Sequence, residues 1–295
     1  MAVLSGMTGF GRTGGEADWG RWTVEAKSVN GKGLDVRVNL PGGFDAVERA
    51  IRTACAKRFK RGSMQVAVRI DLEDRGAALI NDALLDQLTK AWLGRTGEQM
   101  IRAESLATLM TVRGVVEAET TDLRALGQDS DVIAALVAGA ETALAGLSET
   151  REAEGASLRD ILAGTLDTMA DQARAAETAA AEQPGAIKAK LEARIAELTD
   201  GANIDPERLA TEVALMASKA DVREELDRLS AHIQAGREHL EAGSPIGRKL
   251  DFLSQEMYRE ANTLCSKSAS LALTQAGLDL KAAIDQFKEQ AANVE

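Results

Sequence analysis

What this chain has little of narrows its chemistry first. Its two cysteines, Cys55 and Cys265, are too few for a disulfide framework or a thiolate metal cluster, and they point to free thiols in a reducing compartment. The two histidines, His232 and His239, stand seven residues apart, which does not match the helical spacing of a zinc protease. Aromatic residues make up only 3% of the 295, which argues against an extensive base-stacking platform and leaves leucine and alanine to carry the packing. The opening MAVLSGMTGFGR has no apolar leader core, and the longest apolar run, VIAALVAGA at 132–140, is too short to span a bilayer. A soluble cytoplasmic protein without a membrane is the expectation. Positive charge is the minority: 35 Lys and Arg against 46 Asp and Glu leave a net charge of −11. That excludes a globally basic, nucleic-acid-coating protein and confines any polyanion site to a patch.

What is present divides unevenly. Trp22, Val24, Ala26 and Ser28 alternate with Thr23, Glu25 and Lys27, and Leu34, Val36, Val38 and Leu40 repeat the period of two after the turn NGKG at 30–33. FDAVERAIRTACAKRF predicts a helix over 44–59, and Met64, Val66, Val68 and Ile70 predict an inward strand face. Residues 1–78 therefore read as a small α/β sheet unit. From 79 to 204 the alanine-rich sequence is mainly helical, with Pro184 and Gly185 as its one clear break after 151, and it resembles an arm more than a pocket. From 205 to 295, DPER gives a helix start, and Leu209, Val213, Met216, Val222, Leu226, Leu229 and Ile233 predict one drifting apolar stripe. Leu250, Leu253, Met257 and Leu264, then Leu273, Leu280, Ile284 and Phe287, extend the pattern to a helical bundle or an oligomer interface. The fold class is α+β: an N-terminal sheet unit, long helices, and a C-terminal helical bundle.

Three groups of residues could carry chemistry. GFGRTG at 9–14 formally matches a dinucleotide-binding pattern, but too little chain precedes it for the usual buried strand. Glu256, Glu260 and Lys267 fall near one helical stripe, and two carboxylates on adjacent turns suit Mg2+ or Mn2+. Asp221, Glu225, Arg228 and His232 form a second stripe, and Glu212, Lys219 and Arg223 another. His232 is a general base, a general acid, a metal ligand or a partner of Glu225. The plainer reading of such spacings is exposed helical ion pairing worth ~0.2–0.5 kcal/mol, with Gln255, Arg259 and Asn262 in a subunit interface. A basic run, Arg49, Arg52, Lys57, Arg58, Lys60 and Arg61, has no intervening acid and suits a nucleic-acid backbone, or else a solvated helix face. Asn30 and Lys32 extend it at the turn. Trp19 or Trp22 could stack on a base, although Trp22 sits at an inward position.

Nearly the whole chain resembles the YicC-like family of bacterial stress-associated endoribonucleases. The resemblance rests on SGMTGFGR at 5–12, EAKSVNGKGLDVRVNLP at 25–41, RG at 61–62, RGVVEAE at 113–119, DVREELDRLSAHI at 221–233, GRKLDFLSQEMYREANTLCSKS at 247–268 and LKAAIDQFKEQAANVE at 280–295. It implies metal-dependent cleavage of single-stranded RNA by a ring-like homo-oligomer, a hexamer, with RNA-decay proteins as further partners. Carried onto this chain, the functional positions are Glu212, Glu225, Asp227, Arg228, His232, Arg248, Asp251, Gln255, Glu256, Arg259, Glu260, Asn262 and Lys267. Glu256 and Glu260 are the expected metal ligands, with Glu225 or Glu212 completing the shell; Arg259 and Lys267 are the expected phosphate contacts. Gly31 and Lys32 depart from the family's His or Gln followed by Arg, and Lys lacks arginine's bidentate fork. Asp285 and Lys288 replace a more typical Glu and Arg. A non-catalytic RNA-binding or assembly adaptor is the competing expectation.

Overall fold

The computed structural model describes residues 3–72, 78–118, 123–199 and 205–295. Strands β1 (Gly9–Ala17), β2 (Gly20–Val29) and β3 (Leu34–Asn39) precede helix α1 (Asp45–Arg58) and strand β4 (Gly62–Leu72). They form one sheet in the order β1-β2-β4-β3, antiparallel except where β3 runs parallel to β4 through the α1 crossover. The register sets Val24 against Val68, Ala26 against Val66 and Ser28 against Met64, so the inward positions expected from the period of two meet on one face. That face is covered by α1, through Val47, Ile51 and Cys55, and by the first half of a much longer helix.

Next come strand β5 (Ala78–Ile80), helices α2 (Asp82–Thr96) and α3 (Ala103–Met110), strand β6 (Val116–Ala118) and the short helix α4 (Leu123–Leu126). The β5-β6 ribbon was not foreseen: three-residue strands carry too little periodicity to read. Helix α5 (Ser130–Ala181) has 52 residues and is about 78 Å long at 1.5 Å per residue. By length and composition it could cross a membrane, but its apolar stripe packs on the sheet and on the C-terminal helices. Glycines on this helix and on the strand that it covers serve close approach. A Cβ on Gly11 of β1 would lie 2.0 Å from the Ala143 carbonyl oxygen, and one on Gly139 would strike the Trp22 ring. Gly9 and Gly11 of GFGRTG therefore admit this helix, whereas Gly14 faces Trp22 on β2.

Helices α6 (Gln183–Thr199) and α7 (Pro206–Lys219) follow, packed on each other and mostly exposed. Asp205 caps α7 by accepting the Glu207 N–H, as DPER implies. The bundle is completed by α8 (Arg223–Ala242), α9 (Gly247–Lys267) and α10 (Leu271–Ala291), packed on the second half of α5. The single stripe expected across 209–233 is interrupted at Ala220–Val222. Asp221 accepts the Arg223 N–H at 3.0 Å and starts a new helix, so Leu226, Leu229 and Ile233 are buried while Met216 stays 38% exposed.

Candidate functional site

The four-residue link between α8 and α9 makes an antiparallel helical hairpin, and the expected charged stripes face each other across it. Lys267 pairs with Glu225 at 2.8 Å and donates to the Asp221 carbonyl oxygen at 3.0 Å. One turn further along α8, Arg228 reaches Glu260 at 3.5 Å and also pairs with Glu224. Arg259 pairs with Glu256 at 2.6 Å on α9 itself. His232 continues the α8 stripe and is half-buried. Asp221 is exposed; the Arg223 backbone N–H, then the Arg223 side chain, hold its carboxyl below the usual carboxylate range.

This ladder uses the carboxylates that the spacing offered to a metal. Glu225 is almost fully buried, and its Oε2 has no hydrogen-bond partner. Glu256 and Glu260 each face a guanidinium. Glu212 lies exposed on α7, a helix that packs on α6. Among the described residues no three His, Cys, Asp or Glu side chains gather in a way that could hold a metal ion. As arranged within one chain, Glu212, Glu225, Glu256 and Glu260 do not make a metal cage. Spacing along a helix shows which carboxylates share a face; it does not show which cations cross from the next helix to neutralise them.

A second set of expected residues does converge. The turn NGKG at 30–33 meets the start of α9, and between them opens a cleft of about 730 Å3 lined by Asn30, Lys32, Arg61, Arg248, Asp251, Phe252 and Gln255. The chain's last residues form its back. The Glu295 carbonyl oxygen accepts the N–H groups of Ile246 and Gly247 at 2.8 and 3.0 Å, and Asn30 donates to Asn293. Gly247 is required there, because a Cβ would lie 2.1 Å from the Val294 carbonyl oxygen. Arg61 donates to that same oxygen at 3.3 Å and keeps a buried Nε without a partner. Among the described residues Lys32 and Arg248 have no ion-pair or hydrogen-bond partner, so both exposed cations are available to a ligand.

The remaining candidates lie elsewhere. Arg49 and Arg58 are exposed on α1, whereas Arg52 is held by Glu48 at 2.8 Å and by the Val36 carbonyl oxygen at 2.6 Å. Trp19 and Trp22 are partly buried and pack against the sheet core. Two residues of consequence were missed. Phe252 is 63% exposed in the cleft, and its signal was an aromatic lying off the Leu250–Leu253–Met257 stripe. Arg151 is fully buried, and nothing in its spacing sets it apart from Arg159 and Arg174 of the same helix.

A mixed sheet joined to a helical bundle, with a basic cleft where they meet, defines a class of protein suited to a polyanion. Comparison with known proteins makes the assignment specific. The sequence profile described as "Endoribonuclease YicC-like, N-terminal region" matches residues 4–160, and "Endoribonuclease YicC-like, C-terminal" matches residues 176–295. A protein described as probable endoribonuclease YicC from Haemophilus influenzae is 32% identical over 299 residues, covering 99% of this chain and all of the relative. Another so described, from Clostridioides difficile, is 30% identical over 291 residues, covering 98% of this chain and 99% of its own. The chain belongs to the YicC-like endoribonuclease family.

Proposed function

We propose that this chain is an endoribonuclease that holds single-stranded RNA in the cleft between the NGKG turn and α9 and cuts it along the α8–α9 face. The observation that carries this reading is the convergence of Asn30, Lys32 and Arg61 with Arg248 and Gln255, residues about two hundred positions apart in sequence, around one cleft. Lys32 and Arg248 would neutralise backbone phosphates, while the flanking carboxylates keep the rest of an acidic surface repulsive. His232 would serve as the proton-transfer group, and Arg259 would contact the phosphate under attack. Lys267 acts through Glu225, which it anchors.

A divalent ion, Mn2+ or Mg2+, is part of the proposal. Such an ion supplies charge neutralisation at phosphate oxygens. Glu256 and Glu260 would hold it only after Arg259 and Arg228 turn away, because each carboxylate is neutralised in the ladder. A homo-oligomer, a hexamer, is also proposed: Leu79, Ile80, Trp92, Met100 and Val112 are exposed apolar side chains, and α2 buries no residue completely. A cytoplasmic protein acting beside RNA-decay partners completes the reading. The adaptor alternative draws its support from the neutralised ladder, since a purely structural set of ion pairs would look the same.

The test is end-labelled single-stranded RNA with Mn2+ or Mg2+, beside a chelated control and a Glu256→Gln/Glu260→Gln variant of matched oligomeric mass. Chelator-sensitive fragments lost in the variant support the reading. Fragments unchanged in the variant reject these ligands, and RNA binding without fragments favours the adaptor.

A further inference from the structure

The cleft contains an element that phosphate binding does not use. Phe252 projects from α9 with 63% of its surface exposed, off the stripe through which Leu250, Leu253 and Met257 enter the core. It shares the cleft with Asp251 and Gln255, one residue before it and three after. Gln255 Nε2 donates to Asp251 Oδ2 at 3.2 Å, which holds the two side chains side by side and leaves two acceptors, Asp251 Oδ1 and Gln255 Oε1, without partners among the described residues. An exposed ring, two acceptors and the two uncommitted cations Lys32 and Arg248 are the parts of a nucleotide site: a π face for a base, acceptors for its edge and charges for its phosphates.

We infer that Phe252 is the stacking surface of a nucleobase subsite, and that Asp251 and Gln255 select guanine. The selection follows from counting donors. On its Watson–Crick edge guanine offers two adjacent donor groups, N1–H and the N2 amino group, whereas adenine, cytosine and uracil each offer one. A carboxylate and an amide oxygen that both accept therefore suit guanine, and replacing guanine removes one of the two hydrogen bonds. The inference rests on the RNA reading above and adds to it a base preference and the residue that grips the base.

The experiment is fluorescence anisotropy of a short labelled single-stranded RNA containing one guanosine, with full-length protein in chelator so that cleavage does not intervene. Phe252→Ala is expected to weaken binding about tenfold and Phe252→Trp to retain it within about twofold, as stacking requires. The dependence of affinity on salt should be unchanged in Phe252→Ala, whereas Lys32→Ala should lower its slope by about 0.7. Replacing the guanosine by inosine, which lacks the N2 amino group, should weaken wild-type binding about tenfold and leave Asp251→Ala unaffected. Equal affinity of Phe252→Ala and wild type overturns the inference while leaving the RNA reading intact, and so does a loss that tracks a changed oligomeric mass, which would make Phe252 a contact between subunits. Absence of RNA binding by the wild type overturns both.

Discussion

Arg151 and Glu295 form a buried ion pair at 3.2 Å, and it joins the middle of the longest helix to the last residue of the chain. Arg151 is fully buried; it also donates to the Gly6 carbonyl oxygen at 2.7 Å and, through both terminal nitrogens, to the Arg61 carbonyl oxygen at 3.2 Å. The Glu295 carboxylate accepts the N–H groups of Lys60 and Arg61, and its backbone oxygen holds the start of α9. The pair thus fixes both walls of the cleft, Arg61 on one side and Gly247 on the other, without facing the ligand. Removing one partner of a buried pair strands the other, which typically costs about 3–5 kcal/mol. Glu295→Ala is expected to lower the unfolding free energy by about 3 kcal/mol, read by urea denaturation, and also to weaken RNA binding. Arg151→Lys is expected to recover little, because an ammonium cannot hold the Gly6 and Arg61 carbonyl oxygens and Glu295 together.

The Lys267–Glu225 pair gives a second prediction. With Glu225 nearly buried, Lys267→Met leaves a carboxylate unpaired and should destabilise the chain by about 2 kcal/mol. Glu225→Gln in the same chain should restore part of that loss. A double-mutant cycle measures the coupling, and additive effects would show the pair to be energetically idle.

Cysteine reactivity separates the two thiols. Burial beneath the sheet pushes the Cys55 thiol from 9.0 up to about 11, against the lowering influence of Arg52 and Arg58. Cys265 is half-buried on α9. At pH 8 a thiol reagent should modify Cys265 in the folded protein and spare Cys55 until the chain unfolds. The raised value also has a sign for stability. The folded state favours the neutral thiol, so its contribution is complete below about 9 and is lost as pH rises toward 11.

Helix α8 should respond to acid at its first turn. Asp221, one residue before the Val222 N-cap, is a carboxylate that accepts the Arg223 N–H, and that bond chiefly lowers its affinity for protons. A lowered carboxyl value stabilises the fold above the ordinary 3.8, and that stabilisation is lost as pH falls through the lowered value. Carboxyl resonances followed by NMR should show Asp221 titrating below the ordinary 3.8. Asp221→Asn, which retains the accepting oxygen, should abolish the acid-dependent fraying of the Arg223 amide.

Much of the fold was legible because period-two alternation fixes which face of a strand is buried: Val24, Ala26, Val66 and Val68 all reach the core as their spacing implied. The α7–α8 break was not, since Asp221 reads equally as a stripe residue and as a cap. The ion-pair ladder was half legible: spacing put Glu225 and Arg228 on one face, and Glu260 and Lys267 on another, but only the hairpin brought the faces together. The partners of the candidate ligands were not legible for the same reason, because the cations that face Glu225, Glu256 and Glu260 come from a neighbouring helix or from the next turn. The cleft lay furthest from the sequence: Lys32 and Arg248 are 216 positions apart, and their neighbourhoods are joined by the close approach at Gly247 and by the contacts of Asn293, Val294 and Glu295.

The central claim, that RNA enters the cleft and is cut by this chain, is tested most directly by steady-state cleavage of a single-stranded RNA by wild type and by Lys32→Ala/Arg248→Ala of matched oligomeric mass. The account predicts fragments from both, with KM raised at least about tenfold in the variant and kcat nearly preserved, since these cations position phosphates and take no part in bond breaking. Cleavage with an unchanged KM would place RNA elsewhere on the surface, and binding without fragments from the wild type would contradict the account outright.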